Sequence, residues 1–365
     1  MRSKDFNNLS ASPITPHLSL FYKLSFFASI LAFLVILLGS YVRLSNAGLG
    51  CPDWPGCYGQ LMVPQQGAVT EGNPLGTRAP IIDTHKAWKE MIHRYLAGTL
   101  ALSIFFLALL SLFRRRIGQP KFLPLILVGV VVFQALLGMW TVTLKLHPLV
   151  VMGHLAGGYA TFVLLSWQTL RIAQFEKQRS PSEAPSFIQN QITSHWKKLR
   201  IAALFGTLLL LIQITLGAWT SANYASLACP DFPTCQGKWW PEFHFSQAFT
   251  FWHEFGPNYE WGVLNNPARV TIQMMHRLGA VLVFIYWFIL SLKILFKPVY
   301  ADLKKNGWAI LFLLLLQISL GISNILFFLP LGVAVAHTGV AALLLFSMIA
   351  LLSTLNPQDA KLKAI

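Results

Sequence analysis

The sequence predicts an all-α integral membrane protein: eight transmembrane helices, set as two parallel-repeat four-helix bundles, with two long outer loops. The first observation behind this is composition. Of 365 residues, 55% are hydrophobic and only 11% charged, where a soluble domain carries about a quarter charged. The second is the length of the apolar runs. Eight of them, near 21–42, 91–113, 122–143, 149–170, 201–221, 269–292, 307–328 and 331–353, match the roughly 20 residues that cross a bilayer. The third is an internal repeat, in which the second half of the chain restates the first.

Residues 1–20 read as a polar cytoplasmic tail. The first apolar run is longer than a signal-peptide core and has a counterpart in the fifth, so it reads as a retained span. It closes on Gly39-Ser40-Tyr41-Val42-Arg43 and gives way to a Gly- and Pro-rich outer loop over 44–89. Spans two and three join through Arg114-Arg115-Arg116, and spans three and four through a short turn at His147-Pro148. A polar linker at 172–199, carrying Ser180-Pro181-Ser182-Glu183-Ala184-Pro185, is the best internal boundary. It separates an N-terminal bundle, 21–171, from a C-terminal one, 200–365. Nineteen of the 28 Lys and Arg residues fall on one side, Lys23, Arg114, Arg171, Lys197 and Lys304 among them. The positive-inside rule makes that side the cytoplasm, with both termini, and the expected location is the inner (plasma) membrane. The net charge of +15 is therefore a topology signal, and no nucleic-acid partner is expected.

The repeat is visible residue by residue. Leu38-Gly39 before Cys51-Pro52-Asp53-Trp54-Pro55-Gly56-Cys57 matches Leu216-Gly217 before Cys229-Pro230-Asp231-Phe232-Pro233-Thr234-Cys235, at an offset of 178. At an offset of 183, His93-Arg94 matches His276-Arg277, and Gln134, Leu137 and Gly138 match Gln317, Leu320 and Gly321. Four spans per half preserve orientation, so the repeats are parallel, about an axis along the membrane normal.

Ionisable side chains inside a bilayer are costly and mark function. Here two histidine pairs share one spacing of 61 residues, His93 with His154 and His276 with His337. Each pair comes from two spans of one bundle at similar depth near the outer side. An iron porphyrin with two axial imidazoles needs that arrangement. Small residues beside the ligands suit a flat macrocycle: Gly153, Gly157 and Gly158 near His154, Ala97-Gly98 after His93, Gly279-Ala280 after His276, and Gly339 after His337. They also suit plain helix packing. A bare zinc or copper site would recruit more than two protein ligands, so heme is the better fit. Arg94 and Arg277 follow a ligand candidate in each half. Two roles stand for them, pairing with heme propionates or snorkelling to the interface. The other histidines have no repeat partner and read as incidental.

Four cysteines form two C-x5-C pairs, Cys51 with Cys57 and Cys229 with Cys235, both in outer loops. Outside the inner membrane the environment is oxidising, which predicts two local disulfides. Either they staple a loop over a cofactor mouth, or the first exchanges thiols or electrons with a partner. One difference between the halves stands out. Glu90 lies three residues before His93, whereas Gln273 holds that place before His276. A carboxylate beside one site and an amide beside the other predicts chemistry at the first and electron storage at the second. The competing explanation is a helix N-terminus, where Glu is favoured by the dipole.

These motifs together resemble the heme A synthase family of bacteria and mitochondria. The resemblance runs from the first span to the eighth and rests on Gly48 to Cys57, Glu90-Met91-Ile92-His93-Arg94, the second Cys-Pro-Asp loop, His154, Met275-His276-Arg277 and His337. It implies oxidation of the C8 methyl of heme O to a formyl group, giving heme A for terminal cytochrome oxidases. It also implies that His93 and His154 hold the substrate heme, that Glu90 is catalytic, and that His276 and His337 ligate heme b. Expected partners are heme O, a heme O synthase (a prenyltransferase), an electron acceptor and membrane lipid; homo-oligomer formation is left open. The alternative is a diheme b-type electron-transfer subunit that modifies no heme. A transporter on parallel repeats would need polar groups near the midplane, and the ionisable groups here cluster at the outer side.

Overall fold

The computed structural model describes residues 19–65, 82–113, 120, 122–178, 189–254, 258–297 and 303–355. The tail at 1–18, the Arg114–Arg116 turn and the proline-bearing centre of the linker lie outside the described residues, as do many of the basic residues that set the topology. Among the described residues the fold is all helical, and eight helices are long and apolar enough to cross a membrane. These are α1 (Leu20–Leu44), α2 (Thr84–Phe113), α3 (Leu123–Thr143), α4 (Pro148–Gln178), α5 (Gln189–Ala222), α7 (Asn266–Phe296), α8 (Lys304–Leu326) and α9 (Leu331–Thr354). A single turn in the second outer loop, α6 (Phe245–Ala248), is the ninth element.

The helices outrun the apolar stretches that announced them, because hydrophobicity marks only the lipid-facing length. The second starts at Thr84 rather than 91, and the fifth at Gln189 rather than 201. Local chemistry sets several of the ends. Ser19 caps α1 by accepting from the Tyr22 N–H at 3.2 Å. Asn265 caps α7 by accepting from the Ala268 N–H at 3.1 Å, with Pro267 in the first turn.

Packing follows the same pattern twice. In the first half α1 lies on α2 and α4, and α3 lies on α2 and α4. In the second half α5 lies on α7 and α9, and α8 lies on α7 and α9. The halves meet where α1 contacts α9, α4 contacts α5, and α4 contacts α9. One apolar core runs through both, from Phe21, Ile36 and Leu107 across Leu165 and Leu210 to Trp287, Leu345 and Leu352. Polar side chains pin the seam. Ser40 donates to the Thr338 hydroxyl at 3.0 Å, and the Tyr159 hydroxyl donates to the Thr338 carbonyl at 2.8 Å. Such bonds between membrane helices are worth about 0.6 kcal/mol each.

Candidate heme-binding sites

Each predicted histidine points into a helix seam and rests on a glycine of the neighbouring helix. His93 on α2 faces Gly39 of α1, where an added Cβ would sit 2.9 Å from the ring Cε1. His154 on α4 faces Gly138 of α3 at 3.3 Å by the same measure. In the second half His276 on α7 faces Gly217 of α5 at 3.0 Å, and His337 on α9 faces Gly321 of α8 at 3.2 Å. A Cβ at Gly39 would force the His93 ring to shift, and one at the other three would require the ring to give by a few tenths of an ångström. The glycines were recognisable as matched repeat positions, but sequence does not show that their faces carry the imidazoles.

The structure brings His93 and His154 together, with ring centroids 6.5 Å apart and planes at 87°. With a metal–imidazole bond of about 2 Å on either side of one iron, the ring centres would stand roughly 6 Å apart. The pair therefore fits the group that the sequence implied. The glycine seats let each imidazole lie close against the neighbouring helix. The Nδ1 atoms of His93, His154 and His337 are buried without a hydrogen-bond partner. In the second half, Gln213 and Gln317 contact His276 and His337 through their amide nitrogens, at 2.9 and 3.3 Å.

A disulfide loop packs on the first turns of α2, against Ala87 and Met91, and another on α7, against Val270 and Met274. Cys51–Cys57 and Cys229–Cys235 are both bonded, with Cα atoms 4.8 and 4.6 Å apart, and all four cysteines are fully buried. The two loops share a hydrogen-bond plan. Cys57 and Gln60 exchange backbone bonds, as do Cys235 and Lys238. Asp53 accepts from the Tyr58 and Gly59 amides, and Asp231 from the Gln236 and Gly237 amides. The Thr234 hydroxyl and those amides hold the Asp231 carboxyl down at about 2. Gly50 closes the first loop onto α2. A Cβ there would come within 2.6 Å of the Lys86 backbone.

Arg94 and Arg277 are spent on these loops. Arg94 donates to the carbonyls of Asp53 at 2.9 Å, Pro55 at 3.3 Å and Gly56. Arg277 donates to the carbonyls of Cys229, Asp231 and Thr234 at 2.8 to 2.9 Å. Backbone acceptors leave no trace in a motif, so sequence could not anticipate this.

Glu90 differs from its counterpart in more than charge. It is 5% exposed and lies in the second turn of α2, beyond the reach of the dipole explanation. One carboxylate oxygen accepts from the Cys51 N–H at 3.0 Å, and the other pairs with Arg94 at 2.5 Å. Gln273 is equally buried, but its Oε1 has no hydrogen-bond partner. A buried carboxylate thus links the first loop, its arginine and the helix turn that carries His93.

His147, read as incidental, is 1% exposed and packs against Tyr259 and His253 of the second outer loop, with ring centroids 5.2 and 6.1 Å away. It joins the halves at their outer rim.

Comparison with known proteins shows the family. A match to the Cytochrome oxidase assembly protein (COX15-CtaA) family spans residues 22–349. The chain is 43% identical to the heme A synthase of Shewanella oneidensis over 321 residues, 87% of this chain and 91% of that one. It is 27% identical to the heme A synthase of Bacillus licheniformis over 313 residues, 83% of this chain and 85% of the relative. With both disulfide loops, all four histidines and Glu90 inside the matched span, the chain belongs to the COX15-CtaA family of cytochrome oxidase assembly proteins.

Proposed function

We propose that this protein is a heme A synthase, an oxidoreductase that converts the C8 methyl of heme O to a formyl group and so supplies heme A to terminal cytochrome oxidases. Its relatives carry that name over nearly the whole chain. The observation that carries the assignment is local: two matched histidine pairs, of which only one has a buried carboxylate on the preceding turn. A carrier of electrons has no use for one unique carboxylate, which is what disfavours the alternative of a diheme b-type electron-transfer subunit.

In this reading residues 21–171 and 200–365 are parallel four-helix repeats in the inner membrane, with both termini cytoplasmic. The repeated packing of α1–α4 and of α5 with α7–α9 supports it. His93 and His154 hold the substrate heme O; His276 and His337 hold a resident heme b. Bound heme iron would relay the four electrons that methyl-to-formyl oxidation releases, and the electron acceptor would take them. Glu90, fixed by the Cys51 N–H and Arg94, holds an ionisable group beside the substrate site to accept or return a proton. Arg94 and Arg277 keep the loops closed over the two sites and exclude water. We assign them that role rather than propionate pairing, because their terminal N–H groups already serve loop carbonyls. The buried Cys51–Cys57 and Cys229–Cys235 bonds act as staples in the same loops. A heme O synthase delivering substrate, an electron acceptor and surrounding lipid complete the setting.

The test is heme extraction and chromatography from a host that makes heme O but has no heme A synthase. Expression of this chain should convert the heme O pool to heme A. Bound heme b with no heme A would overturn the enzyme and leave the electron carrier.

A further inference from the structure

The four histidines are not held alike. On α7, Gln213 reaches across from α5 and places its amide nitrogen 2.9 Å from His276 Nδ1 and 2.9 Å from the His276 carbonyl. Gln213 is 8% exposed, and its Oε1 is buried without a partner. The amide needs room, and Gly279 provides it one turn beyond His276; a Cβ at Gly279 would collide with Gln213 Oε1. The repeat offsets identify the equivalent pair in the first half. Val35 stands for Gln213 and Leu96 for Gly279. Both are apolar and packed against the core, and His93 Nδ1 is left buried without a partner, as are those of His154 and His337, so His276 alone of the four has a partner at Nδ1. An amide with a glycine in one half thus replaces valine with leucine in the other, as a matched exchange.

We propose that Gln213, seated by Gly279, is the positioning residue that locks His276 and makes the second-half site a permanent one, while the untethered His93 belongs to a site whose occupant must come and go. This rests on the reading of His276 as a heme ligand. A ring nitrogen opposite a metal is normally hydrogen-bonded, which fixes its tautomer and orientation, and loss of that partner costs ten- to a hundredfold in metal affinity. An amide suits the task because a turn about its terminal bond presents Oε1, buried here without a partner, as the acceptor for the Nδ1–H of an imidazole bound through Nε2. A substrate site gains nothing from such a clamp, since product must leave after each turnover.

The test uses purified full-length protein and a heme-scavenging apo-globin. Gln213→Val together with Gly279→Leu recreates the first half's apolar packing, so the variant should fold. Its second-half heme should pass to the scavenger roughly ten times faster or more than in the wild type. Its midpoint potential should shift as well, which a purely structural role would not produce. Gln213→Val alone serves if the double variant expresses poorly. An unchanged transfer rate and potential would overturn the proposal. His276→Ala separates the two claims: retention of the second-half heme in that variant would overturn the ligand assignment itself, whatever Gln213 does.

Discussion

Glu90 and Arg94 form a buried ion pair whose partners cannot be removed singly without cost. Their side chains are only 6% and 12% exposed. Breaking a buried pair by deleting one partner costs about 3–5 kcal/mol, because the other charge is stranded. Arg94→Leu should therefore destabilise the purified protein by about that amount, measured by unfolding in detergent. Arg277→Leu should cost less, since Gln273 carries no charge to strand. Equal losses would mean that the loop carbonyls, not Glu90, dominate the energetics of both arginines. The glycine seats invite a second test. Gly39→Ala places a methyl 2.9 Å from the His93 ring, so the imidazole must move. Heme bound in the first half should fall in that variant relative to heme in the second. A normal ratio would show that the seam at Gly39 yields without disturbing His93.

At the level of elements, we read the disulfide loops as short caps, since all four cysteines are buried. Each bond encloses a six-residue separation, for which the chain-entropy account gives about 2 kcal/mol. Cys51→Ser with Cys57→Ser should lower stability by roughly that much and leave heme ligation intact. No loss of stability with loss of activity would restore the thiol-exchange reading, despite the buried sulfurs. The histidine pairs, the loops and the eight spans were legible in sequence because polar residues are rare in apolar runs and cysteines rarer still. What was not legible depends on backbone. The Arg94 and Arg277 contacts end on carbonyl oxygens, which every residue has. Gln213 falls outside the matched positions of the repeat, because its counterpart is the apolar Val35. Helix starts such as Thr84 were hidden because polar residues extend a helix without adding to its hydropathy, and with them was hidden the fact that Glu90 sits inside α2.

Across the whole molecule, two copies of one packing plan meet along α1, α4, α5 and α9. The histidine seats match, but the two halves differ beside them, Glu90 against Gln273 and Val35 with Leu96 against Gln213 with Gly279. In the proposed reading both differences point toward a reactive first site and a retained second one. Topology is testable at this scale too. Reporter fusions after Thr354 and ahead of Leu20 should both report a cytoplasmic location, and a split result would contradict an even number of spans. The central claim is the division of labour, and heme analysis of three purified proteins from heme O-producing cells tests it most directly. The wild type should contain heme b and heme A; Glu90→Gln should contain heme b and heme O with no heme A; His276→Ala should lack heme b. Normal heme A in Glu90→Gln, or normal heme b in His276→Ala, would contradict it.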